Sequence, residues 1–270
     1  MIPSRFITQW SKTVNWQTPA QVEQDLVLSR AIIEIFSNPR LAKTMRFRGG
    51  TALYKLFFNL TTRYSEDIDL VQALPGPIGE DIDEIRKILD PWLGEPRRKR
   101  GPGIVSLVYQ FRSEDEDIPL RLKVEINTRE HEEAFSLITK PFKVESEWFN
   151  QSCEISTYSL EELMGSKLKA LYSRKKGRDL FDCWIALKDG AIDISKTIDA
   201  FSHYLKFSDQ SISRAEFEKN LFYKLQDSSF RRDIEPLLVV GSGWDIEIAA
   251  TQVIDKLISQ LPVNKWQGEG

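Results

Sequence analysis

Apolar residues recur at helical spacing from Pro19 to Phe36, where Val22, Leu26, Ile32, Ile33 and Phe36 stand among Glu23, Gln24, Asp25 and Arg30. That pattern predicts an amphipathic helix. Asn38-Pro39 ends it, because a residue before proline is pushed out of the helical region. Gly49-Gly50-Thr51 is a turn that opens a short helix carrying Ala52 to Phe58, with Thr51 as its N-cap. At Glu66-Asp67-Ile68-Asp69-Leu70-Val71 the period changes to two, as in a half-buried strand. Asp81 to Leu93 reads as a helix, and the basic run Arg97-Arg98-Lys99-Arg100 with Gly101-Pro102-Gly103 as a solvated turn. Ile104 to Arg112 and Leu120 to Asn127 read as two strands of a hairpin joined by the acidic segment Ser113 to Pro119. Shorter strands are expected around Phe142-Lys143-Val144 and Cys153-Glu154-Ile155-Ser156.

From Ser159 onward the pattern is helical. Ser159 and Glu162 stand three apart before an apolar-periodic run, the spacing of a reciprocal capping box. Gly177 interrupts this helix, and a second carries Arg178 to Leu187; later helices are expected over Ala191 to Tyr204, Arg214 to Leu225 and Trp244 to Leu261. No repeat and no linker cuts the chain. The expected fold is α/β of the α+β kind: residues 1–158 form a small mixed or antiparallel sheet flanked by helices, and 159–270 form a helical C-terminal domain.

Composition narrows the class. The 270 residues are 41% hydrophobic and 29% charged, which excludes collagen-like, disordered and small disulfide-scaffold proteins. A net charge of −3 argues against coating nucleic acid by bulk charge and leaves room for local basic patches. The opening Met1 to Phe6 lacks the pattern of a signal peptide, and no apolar run approaches the ~20 residues that span a bilayer. A cytoplasmic location and no membrane partner are expected. Cys153, Cys183, His131 and His203 assemble neither a disulfide framework nor a His/Cys metal site, so any catalytic metal must be held by oxygen.

Oxygen donors are present in a telling arrangement. On a strand Asp67 and Asp69 share one face, ~7 Å apart, and repel unless a cation sits between them. Mg²⁺ takes one or two carboxylates and completes its shell with water and phosphate oxygens. For an isolated Asp-x-Asp a solvated strand face is the commoner explanation. Glu125 lies on the polar face of the Leu120 to Asn127 strand. Should that strand pair beside Asp67 and Asp69, three carboxylates converge, enough for two metals or for one metal and a general base; an amphipathic edge strand with assorted charges explains this strand alone equally well. Gly49, Gly50 and Thr51 let main-chain N–H groups approach a phosphate, or merely make a turn. Lys167, Arg174 and Arg178 stand at offsets of seven and four, one face of a helix if it runs unbroken through Gly177. Such a face could clamp a triphosphate, or be solvated, while Asp179 and Asp182 would orient the guanidinium groups.

The combination Phe47-Arg48-Gly49-Gly50-Thr51-Ala52-Leu53, Arg63-Tyr64-Ser65-Glu66-Asp67-Ile68-Asp69-Leu70, Lys123-Val124-Glu125-Ile126, and Lys167 with Arg174 to Asp182 resembles the AbiEii/MenT family of nucleotidyltransferase-like toxins, within the DNA polymerase β nucleotidyltransferase superfamily. The likeness spans about Gln21 to Leu187, and the helical tail fits in kind. It implies that Gly49, Gly50 and Thr51 contact nucleotide phosphates, that Asp67 and Asp69 hold Mg²⁺ or Mn²⁺ with Glu125 as third carboxylate, and that Lys167 binds the triphosphate with Arg174 and Arg178. Asp179 and Asp182 would complete the helical part of the site. It further implies transfer of a nucleotide from an NTP to RNA, in several members the tRNA acceptor end, by a toxin encoded with an antitoxin in growth arrest or phage defence. The basic patches Arg97 to Arg100 and Lys175 to Arg178 are the expected RNA contacts. A small-molecule or protein acceptor, or a non-catalytic interaction module, are the alternatives.

Overall fold

The structure, a computed structural model, describes residues 2–58, 62–114, 117–188, 192–239, 241–263 and 265–268. They divide into two compact units, Met1–Glu133 with Leu137–Tyr158, and Ala134–Ser136 with Ser159–Gly270.

The first unit runs α1 (Ser4–Trp10), α2 (Pro19–Ser37), α3 (Leu41–Thr44), β1 (Met45–Arg48), α4 (Gly49–Leu56), β2 (Asp67–Gln72), α5 (Gly79–Leu93), β3 (Arg97–Gly101), β4 (Ile104–Arg112), β5 (Pro119–Asn127), β6 (Ile138–Glu145) and β7 (Asn150–Thr157). Its strands form one mixed sheet in the order β3-β4-β5-β2-β1-β7-β6. β2 pairs parallel with β5 and antiparallel with β1. One sheet face is apolar and buried: Ile68 and Leu70 of β2, Leu107 of β4, and Val124 and Ile126 of β5. Helix α5 packs on that face, where Tyr109 Oη donates to Asp90 Oδ1 at 2.9 Å. The alternate residues of the same strands are therefore forced onto the opposite, polar face.

Several expectations need amending. The run Arg97 to Arg100 is no turn but the exposed edge strand β3, paired antiparallel with β4 and closed by a tight turn in which Gly103 has φ +75°. Arg and Lys have weak strand preference, but an edge tolerates them, and their charge discourages another strand from adding there. Thr51 is not an N-cap: α4 begins at Gly49, Arg48 precedes it without a side-chain cap, and Thr51 is buried in the first turn. The polar residues Glu23, Gln24 and Asp25 of α2 are buried rather than solvated, because α2 is covered on nearly every side. Asp25 is satisfied there by Trp10 Nε1 at 2.9 Å and Lys55 Nζ at 2.7 Å. Of the acidic connection between β4 and β5, Asp115 and Glu116 lie outside the described residues.

The second unit is helical: α6 (Leu160–Ser173), α7 (Gly177–Lys188), α8 (Ile194–Phe207), α9 (Arg214–Gln226), α10 (Ser228–Arg232) and α11 (Ile246–Lys256). The expected helix to Leu261 stops at Lys256 and continues only as a 3₁₀ turn over Ile258–Gln260. Helix α8 starts at Ile194 behind an Asp193 cap, and Ala191 lies outside the described residues. The capping box at Ser159 is half made. Ser159 Oγ accepts from Glu162 N at 3.2 Å, but the Glu162 carboxylate takes Ala134 N at 2.7 Å, Phe135 N at 3.1 Å and Tyr204 Oη at 2.7 Å instead. Among the described residues no helix is long and apolar enough to cross a membrane.

Candidate active site

The polar face of the sheet carries the first group of predicted residues. In the β2–β5 register Asp67 stands opposite Lys123 and Asp69 opposite Glu125. Lys123, which the sequence reading passed over, lies between the carboxylates: its Nζ is 2.6 Å from Glu125 Oε2 and 3.5 Å from Asp67 Oδ2. Ser106 Oγ also reaches Glu125 Oε2, at 3.3 Å. Burial alone would depress the Lys123 pKa, but its contacts with Glu125, Asp67 and Asp69 outweigh that and raise it. The Asp67 carboxyl is shifted upward, chiefly by burial and against the pull of Lys123. Its Oδ1 is buried without a hydrogen-bond partner.

The double glycine has a steric reason. Gly49 has φ +83°, and a Cβ built there would lie 2.1 Å from Asp69 Oδ2. The Asp69 carboxylate thus lies against the first turn of α4, and only glycine admits both that backbone and that neighbour. A Cβ at Gly50 would lie 2.4 Å from Nη2 of the buried Arg63. Arg63 was also missed by the sequence reading; its guanidinium stacks over Tyr54 at 4.7 Å and donates to Tyr64 O at 3.0 Å. The Thr51 hydroxyl bonds Ser65 Oγ at 2.7 Å and donates to Asp67 O, tying α4 to the start of β2. Arg48 closes the other side, with Nη1 2.7 Å from Glu130 Oε2, and its protonated form is favoured by Glu130 and Asp69 despite burial.

Among the described residues no group of three or more His, Cys, Asp and Glu side chains is set to hold a metal ion. Asp67, Asp69 and Glu125 share a face and a register, but the Lys123 ammonium fills the space between Asp67 and Glu125. The donors present nonetheless suit a hard divalent cation. They are carboxylate oxygens, two carboxylates suffice for Mg²⁺, and the orphaned Asp67 Oδ1 lacks a partner that a cation would provide.

The second unit gathers the remaining predicted residues differently. Lys167 of α6, its side chain only 10% exposed, lies 3.3 Å from Asp179 Oδ1 and 3.0 Å from Asp182 Oδ2 of α7, both fully buried. Arg174 grips Asp179 with two bonds, Nε to Oδ2 at 2.7 Å and Nη2 to Oδ1 at 2.8 Å. Asp179 is held below the usual carboxylate range, since Lys167 and Arg174 outweigh its burial. Arg178 does not join this cluster. The chain leaves the helix after Ser173 and restarts at Gly177, so the offsets of seven and four do not fall on one face; Arg178 Nε turns to Asp233 at 3.5 Å. Lys175 pairs with Asp227 and Lys176 with Asp233, which neutralises that expected basic patch. Gly177 is required where a Cβ would stand 2.2 Å from Phe230 O.

A carboxylate pair on a central strand of a mixed sheet, facing a glycine turn that opens a helix, defines a nucleotidyltransferase-type fold, and two solved structures share it. MenT4, a nucleotidyltransferase toxin from Mycobacterium tuberculosis H37Rv, superposes with a TM-score of 0.64 at 14% identity over 97% of this chain and 91% of that one. JHP933 from Helicobacter pylori gives 0.58 at 19% identity over 90% and 93%. No curated protein matches by sequence. The family model for the nucleotidyl transferase AbiEii toxin of Type IV toxin–antitoxin systems matches residues 30–252, and the chain belongs to that family. It is a nucleotidyltransferase, and membership implies an NTP as substrate and an antitoxin as partner.

Proposed function

We propose that this toxin transfers a nucleoside monophosphate from an NTP to an RNA acceptor, the 3′ end of tRNA, in the cytoplasm, blocking translation as part of growth arrest or phage defence. The observation that carries the reading is the β2–β5 register, which puts Asp67, Asp69 and Glu125 on one polar face beside the Gly49-Gly50 turn. Asp67 and Asp69, with Glu125, hold Mg²⁺ or Mn²⁺, which when bound neutralises charge developing on the phosphates. The first turn of α4, at Gly49, Gly50 and Thr51, takes phosphate oxygens through main-chain N–H groups, the Thr51 hydroxyl being already engaged. Glu125 or Asp69 accepts the proton of the attacking hydroxyl, whose oxygen bonds the α-phosphorus as the bond to the β-phosphate oxygen breaks and pyrophosphate leaves. Lys123, mobile on its four-carbon stem, exchanges its carboxylate partners for substrate phosphate. Lys167 and Arg174 are held by Asp179 and Asp182, and Arg178 by Asp233, so the phosphates fall to the first turn of α4 and to Lys123.

The test is incubation with tRNA, Mg²⁺ or Mn²⁺ and each α-labelled NTP. Label on the tRNA 3′ end, lost in Asp69→Ala, is expected. No label on any acceptor, with Asp69→Ala behaving as wild type, overturns the reading. Activity that barely responds to salt would point to a small acceptor instead, because RNA binding carries a steep negative salt slope.

A further inference from the structure

The sheet register reaches beyond the carboxylates. Read across the strands, Lys99 of β3 stands opposite Ser106 of β4, Ser106 opposite Glu125 of β5, and Glu125 opposite Asp69 of β2. In the parallel row Arg97 stands opposite Val108, Val108 opposite Lys123, and Lys123 opposite Asp67. Directly opposed residues project to the same side of a sheet, and the Ser106–Glu125 and Lys123–Asp67 contacts confirm it for these rows. Arg97 and Lys99 therefore project on the carboxylate face, with Lys99 two strand spacings, ~10 Å, from Glu125. Arg98 and Arg100 oppose Leu107 and Val105 and project on the other side.

All four side chains are exposed. Among the described residues none of the four has an ion-pair partner, in contrast to Lys175, Lys176 and Arg178. A further cation lies at the turn end of the same hairpin, where the Arg129 stem fills the space over Gly103.

We infer that the carboxylate-side face of β3, with Arg97 and Lys99, docks the phosphate backbone of the RNA acceptor, resting on the reading that an RNA is the acceptor. Two cations along a strand, two residues apart, are spaced at ~7 Å, close to the separation of successive phosphates in a nucleic-acid strand. Their place two strands from Glu125 leaves room for the terminal nucleotide to reach the carboxylates while the preceding phosphates lie on β3. The alternation of the strand divides a uniformly basic run into a face that contacts RNA and a face that does not.

The experiment measures binding of a fluorescein-labelled tRNA transcript by anisotropy, at several salt concentrations, to the full chain and two double variants. Arg97→Ala/Lys99→Ala is expected to weaken binding roughly tenfold at ~0.1 M salt and to make the log–log salt slope shallower by about 2. Arg98→Ala/Arg100→Ala, with the same charge change on the opposite face, is expected to stay within about twofold of wild type. Equal losses in the two variants, or no binding by the wild type at low salt, overturn the inference. So does a raised KM for NTP in Arg97→Ala/Lys99→Ala with unchanged RNA affinity, or self-association as its only defect, which would make the charges a guard on the sheet edge. Because all these side chains are exposed, unfolding midpoints should not move. Asp69→Ala separates the two claims: it should retain RNA binding, so loss of the transfer reading with the face contrast intact is visible as such.

Discussion

The two units each hold carboxylates against cations, and the two clusters behave oppositely. In the helical unit Lys167 and Arg174 answer Asp179 and Asp182 bond for bond, the acids are fully buried, and Asp179 is pulled below its ordinary range. On the sheet a single ammonium, Lys123, serves Asp67 and Glu125; Asp67 is pushed above its ordinary range and keeps one oxygen without a partner. A buried network with matched charges holds its own elements together, while one short of positive charge is completed by something that binds. The same residue types thus give a matched brace in one place and, in the other, carboxylates that share one ammonium.

The largest effect expected from this contrast is on stability, in the helical unit. Asp179→Ala leaves Lys167 and Arg174 facing a single buried acid and should cost about 3–5 kcal/mol in denaturant unfolding, whereas Asp67→Asn should unfold no earlier than wild type. The pH dependence carries the opposite signs. Asp179, lowered on folding, contributes stability above the ordinary aspartate range that is lost as pH falls through its depressed pKa. Asp67, raised on folding, contributes most below that range and loses its contribution as pH rises through the raised value. Acid unfolding that Asp179→Asn leaves unchanged would break the comparison.

Gly49→Ala comes next. It forces a side chain into a left-handed backbone and onto Asp69 Oδ2, at roughly 1–3 kcal/mol. Nucleotide transfer should fall out of proportion to that loss, because the displaced group is a carboxylate of the site; transfer that tracks folded fraction alone would return the glycine to a purely structural role. Smaller still is Lys123→Met. Without ligand it should lose about 1 kcal/mol or less, and the stabilisation given by Mn²⁺ in a thermal shift should exceed that of wild type, since the ion no longer competes with an ammonium. A smaller Mn²⁺ response would mean that Lys123 helps to hold the site rather than filling it.

Much of this was legible along the chain. Period-two alternation put Asp67 and Asp69 on one face and Ile68 and Leu70 on the other, and the β4–β5 hairpin follows from its own two runs. What failed to show was what depends on distant partners. Nothing local brings Lys123 to Asp67, because their pairing joins strands 56 residues apart in a parallel register; the alternation did place Lys123 on the face of Glu125, and that signal was available. The Arg97 to Arg100 run hid its strand because its charge outweighed the Gly101-Pro102-Gly103 turn and the apolar partner beyond it. Thr51 looked like a cap because Thr so often is one, yet its hydroxyl is spent on Ser65 and Asp67. Arg178 seemed to continue the face of Lys167 only while the helix was unbroken, and Asp233, which holds it, is far along the chain.

Whether Asp67, Asp69 and Glu125 bind a divalent ion for nucleotide transfer is read by calorimetric titration of Mn²⁺ in the presence of a non-hydrolysable NTP, corrected for the ion that the NTP binds by itself. Wild type should bind the ion with NTP, and Asp67→Asn and Asp69→Asn, folded to the same midpoint, should lose that binding, while Asp182→Asn, if folded, retains it. Unchanged Mn²⁺ binding in the two sheet variants would contradict the account.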